Sequence, residues 1–135
     1  MTGVQTCALP ISIARADAAE KADLERDASA LADLNDAPET DMEALVEMDR
    51  ELNIKLARMS RNPIFEWVMG AVQLGFSSHD HSLYAHPYYR GETVANWLET
   101  TRQIAANEPV KALSSISRHY ILLRNCIREG RGGRS

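Results

Sequence analysis

The sequence predicts an all-α fold, an antiparallel bundle of about five or six helices, and three observations carry that prediction. Apolar residues recur at steps of three and four over most of the chain, the spacing that lines one face of a helix. Turn residues cut these stretches into helix-length pieces, and no stretch alternates in the manner of a strand. Ala, Leu, Glu, Asp and Arg are plentiful while aromatics make up only 6%, a balance that favours helix because straight-chain residues and Ala lose little entropy there. At 135 residues there is room for one domain, large enough to bury a core without disulfides or metal staples.

From Ile13 to Leu34 an Ala-rich stretch carries Leu24, Ala28, Leu31 and Leu34 on one face, and predicts a helix that Asn35, Asp36 and Pro38 break. Thr40 opens the next helix, with Thr40 and Glu43 spaced as a capping box. Leu45, Met48, Leu52, Leu56 and Met59 form its stripe to about Ser60. Asn62-Pro63 stops it, since a residue before Pro disfavours helical dihedrals, and Pro63 suits the first turn of a further helix reaching Gly75. Residues 76–91 are polar and rich in His and Tyr, and read as a loop with a helical turn at 82–85. A helix over 92–106 turns Val94, Trp97, Leu98, Thr101, Ile104 and Ala105 inward. Asn107 is placed to cap the last helix, 108–128, whose stripe is Ala112, Leu113, Ile116, Tyr120, Leu123 and Ile127.

The two ends read differently. Residues 1–11, MTGVQTCALPI, resemble the conceptual translation of a sequencing adapter, which would make them, Cys7 included, an assembly artefact. Residues 12–128 form the domain, and the Gly- and Arg-bearing residues 129–135 read as a flexible tail.

Charge and motifs exclude several classes. The net charge is −4 and no basic patch stands out, so the chain lacks the counterion-displacing surface of a nucleic-acid binder. No apolar run approaches the roughly 20 residues of a membrane span. Cys7 and Cys126 lack CxxC spacing, which fits a reducing cytoplasm better than a zinc ribbon or disulfide scaffold. No Gly-rich phosphate loop and no G-x-S-x-G elbow is present, so the chain is read as no enzyme.

A few residues carry chemistry. Asp49 and Asn53, four apart, share a helix face beside the Met48, Leu52 and Leu56 stripe. His119 borders the stripe of the last helix. Converging, these could hold a divalent metal or a polar ligand; apart, they are a half-buried Asp, a surface Asn and a core His. His79, His81 and His86 have ligand-like spacing but fall in a loop, and Cys126 reads as a core thiol.

The segment MDRELNIKLARMSRNPIFEW resembles the motif of the FCD domain, the C-terminal half of FadR-type GntR regulators, with Asp49, Asn53, Ser60, Asn62 and Pro63 in register. QIAANEPVKALSSISRH resembles a second block, through Ile104, Glu108, Ala112 and His119. The resemblance covers about Ile13 to Arg128 and implies a bundle enclosing an effector pocket. It implies a homodimer, an organic acid as effector, and operator contacts made through a winged helix-turn-helix that precedes the domain. Many relatives of that kind hold a divalent metal such as zinc. The resemblance places Asp49, Asn53 and His119 at three ligand positions and Trp97 at the fourth, where the family has His. Indole only donates and cannot ligate, so the implied site has lost a ligand. The pocket set is then Asp49, Asn53, Trp97 and His119. Two other readings are a metal-dependent hydrolase using Asp49, His119 and the loop histidines, and a helical interaction module with no ligand.

Overall fold

The computed structural model describes residues 17–59, 61, 63, 64, 67 and 82–132, and every regular element among them is helical. Residues 1–11, Ser60, Asn62, most of the helix expected over 63–75, and His79, Asp80 and His81 lie outside the described residues.

Helix α1, Ala18–Asn35, opens on a reciprocal cap that the apolar periodicity does not single out. Asp17 Oδ1 accepts from the Glu20 backbone N–H at 2.8 Å and Glu20 accepts back from Asp17 at 3.4 Å, so two orphan donors of the first turn are satisfied. Helix α2, Met42–Arg58, is capped by Asp41, whose Oδ1 accepts from Ala44 N–H at 3.1 Å. The expected Thr40 cap is displaced by one residue. Asp caps at least as well as Thr and adds a negative charge at the positive end of the helix.

Helix α3, Pro87–Ala105, begins five residues before the expected Glu92. Pro87 sits in its first turn with φ already set for helix, and Tyr89, Thr93 and Val94 are buried. Tertiary packing therefore draws the polar-looking start into the helix. A helical turn at 82–85 precedes it as expected. Leu98 is 38% exposed and Ala105 is exposed, so these two face outward, contrary to the sequence reading.

Asn107 ends α3 rather than capping the next helix. Its φ is 58°, its N–H donates to Ile104 O at 3.0 Å, and the Glu108 N–H donates to Gln103 O at 2.9 Å. That pair of bonds is a Schellman motif with Asn in the left-handed position. Helix α4, Pro109–Gly132, begins at once and runs four residues past Arg128. The short turn makes α3 and α4 an antiparallel hairpin.

Helix α3 packs on both α4 and α1, and α1 packs on α2. The main core joins Leu24, Leu31, Leu45, Leu52, Ile104 and Ile116. A second cluster of Leu83, Tyr89, Leu122, Leu123 and Cys126 closes the other end of the hairpin. Polar links cross it too: Asn96 Nδ2 donates to Ser115 O at 2.7 Å, and Ser115 Oγ donates to Gln103 Oε1 at 2.7 Å. No helix among the described residues is long and apolar enough to cross a membrane.

Candidate functional site

The polar centre of the bundle is Asp49, which α2 carries into the core with no solvent exposure. Its carboxylate accepts from donors on separate elements. Asn53 Nδ2, one turn on, donates to Oδ1 at 2.8 Å and to the Asp49 carbonyl at 3.0 Å. Trp97 Nε1 on α3 donates to Oδ2 at 3.1 Å. The Tyr84 hydroxyl from the 82–85 turn also donates to Oδ2. Burying an anion is costly unless its lone pairs are filled, and here neutral donors fill them.

Beside this cluster lies a small cavity of about 10 Å³, room for a single water molecule. Asn53, Asn96, Trp97, Thr100, Ile116 and His119 line it, with Tyr120. Three of the four residues expected in the pocket therefore line one hollow. Asp49 stands behind them, bonded to Asn53 and Trp97. His119 is 9% exposed, its ring centroid lies 6.4 Å from that of Trp97, and its buried Nδ1 has no hydrogen-bond partner among the described residues.

The residues do not fit a divalent metal. Both Asp49 oxygens are already engaged, Asn53 turns its N–H rather than its oxygen toward them, and Trp97 brings a second N–H where a ligand would be needed. Among the described residues no three His, Cys, Asp or Glu side chains stand together as ligands. His86 is exposed at the N-cap of α3, with its ring against Tyr89 at 5.1 Å, and does not line the cavity. Burial pushes the Cys126 thiol above its ordinary pKa, which suits an inert core thiol.

Three participants escaped the sequence reading: Tyr84, Asn96 and Thr100. The 96/100 spacing flanking Trp97 was the available signal for two of them, since four residues is one helical turn. Tyr84 gave no comparable signal.

A family model described as FCD domain matches residues 6–121. No curated protein and no solved structure matches the chain.

Proposed function

This chain belongs to the FCD domain family, and from that premise we propose that it is the ligand-sensing and dimerisation part of a GntR-type bacterial transcription regulator. FCD domains are regulatory domains that bind small-molecule effectors. The single observation that supports an effector site in this chain is the hollow where α2, α3 and α4 converge polar side chains around a His119 nitrogen that has no partner among the described residues. Its lining, apolar in part and bearing a few convergent polar groups, has the character of a small-ligand site, though its closed volume does not.

At about 10 Å³ the hollow admits water but not an organic molecule, so a ligand enters only as the helices part. Binding then favours an opened bundle over the closed one, and that differential affinity is what a regulatory switch requires. In the intact regulator, acting in the cytoplasm as a homodimer, the shift would change the spacing of two winged helix-turn-helix units on an operator. Organic acids are the effector class that the resemblance suggests.

The test is a thermal-shift screen of small metabolites against the full chain, organic acids included, followed by calorimetry on wild type and His119→Ala. Removal of His119 is expected to weaken the effector at least tenfold. Equal affinity in both proteins would take His119 out of the site. Sedimentation equilibrium checks the dimer, and a monomer at every concentration would exclude it.

A further inference from the structure

The homodimer reading leaves the contacting surface open, and the outer side of the α3–α4 hairpin narrows it. We propose that two copies of the chain associate across this side, about a two-fold axis running along the groove between the two helices. The inference rests on the homodimer reading above and names its surface.

Gly91, Ala95 and Leu98 stand at steps of three and four on α3, as do Ser114, Ser117 and Ile121 on α4, so each set forms one stripe. All are exposed except Ser117, which is half-buried. Exposure reaches 38% at Leu98 and 48% at Ile121. An open groove of about 660 Å³ lies between the helices, and Ala95, Ser114, Ser117 and Ile121 are part of its lining. Two contacts fix the register of the hairpin: Asn96 Nδ2 to Ser115 O at 2.7 Å, and Arg118 to Glu92 at 2.6 Å. That register sets Gly91 level with Ile121, Ala95 with Ser117, and Leu98 with Ser114. A large side chain therefore stands across from a glycine or serine at either end, and two small ones stand level between them.

A two-fold axis parallel to the helices lays α3 of one copy on α4 of the other at the same levels. Ile121 of each copy then enters the space left by the other's Gly91, and Leu98 covers the other's Ser114. Ala95 and Ser117 let the backbones approach. This matching of a face to itself singles out a second copy as the occupant. Gly91 is an independent observation. A Cβ there would meet no atom within 4 Å among the described residues, so their packing does not require glycine, the poorest helix former short of Pro. Identical faces also repel unless their charges balance. Along these stripes Glu92 is paired with Arg118 and Glu99 with Arg102. Behind the face, Asn96 lines both the groove and the hollow, so a ligand that parts α3 from α4 alters the surface on which the copies meet.

Sedimentation equilibrium on the full chain and three variants tests the face. Ser114→Arg and Gly91→Gln are each expected to raise the dissociation constant of the dimer at least tenfold, by charge and by bulk. Ser29→Arg, exposed on α1, should leave it unchanged. Gln suits a helix better than Gly, so Gly91→Gln stays folded by circular dichroism while it associates more weakly. An unchanged constant in either hairpin variant, or equal weakening by Ser29→Arg, overturns this face and leaves the homodimer reading standing. A monomer at every concentration overturns both.

Discussion

At Asp49 a carboxyl group is held inside the protein as an acceptor by Asn53, Tyr84 and Trp97, none of them charged. Replacing one acceptor by a donor sets two donors face to face. Asp49→Asn should therefore cost about 1–3 kcal/mol, read from urea unfolding. Asp49→Ala should cost more than Asp49→Asn, because it strands every donor at once. Thr93 presents the opposite case: its hydroxyl is fully buried with no partner among the described residues. Thr93→Val keeps the shape, removes the unsatisfied group, and is expected to stabilise by about 1 kcal/mol in the same measurement. Asp49, Asn53 and His119 could be picked from the sequence because their spacing sets them beside apolar stripes. Asn96 and Thr100 had only the weaker signal of their spacing around Trp97, since a polar residue on a helix looks like surface until a neighbouring helix covers it. Tyr84 reaches Asp49 across 35 residues of sequence, a contact that local periodicity does not encode.

Among the elements, α1 and α2 are clamped by Lys55, whose Nζ lies 2.7 Å from Asp23 and 2.5 Å from Asp27. The hydrogen bond to Asp23, then that to Asp27, raises the Lys55 pKa, and the Lys55 bond, followed by that of Arg26, lowers that of Asp23. A lowered carboxylate contributes stability above its ordinary 3.8 that is lost as pH falls through the folded value. Lys55→Met should thus flatten the acid limb of a stability–pH profile. Its effect at pH 7 should stay under about 1 kcal/mol, because the pair is solvent-screened. The caps give a sharper comparison: Asp41→Ala should cost about 1 kcal/mol while Thr40→Ala stays within about 0.5 kcal/mol, by thermal or urea unfolding. The three-and-four stripes showed where helices lie. They did not show that α3 starts at Pro87, because Tyr89 is drawn inward against Leu122, Leu123 and Cys126 of α4 rather than by local preference.

For the whole molecule, periodicity and turn residues were sufficient to predict a helical bundle, while the size of its hollow depends on side-chain packing that no pattern reports. A ligand that binds only the folded chain raises its stability by about 2.7 kcal/mol at a hundredfold excess over Kd. The corresponding rise in Tm should shrink in His119→Ala at the same ligand concentration, and an undiminished rise would separate His119 from binding. The shared carboxylate has one more consequence. Helix α2, the turn at 82–85 and α3 cannot leave the body of the protein singly without breaking hydrogen bonds to a buried carboxyl group. Their central amides should therefore exchange with deuterium together, in one slow class, while the first turn of α1 and the last turns of α4 exchange independently and sooner.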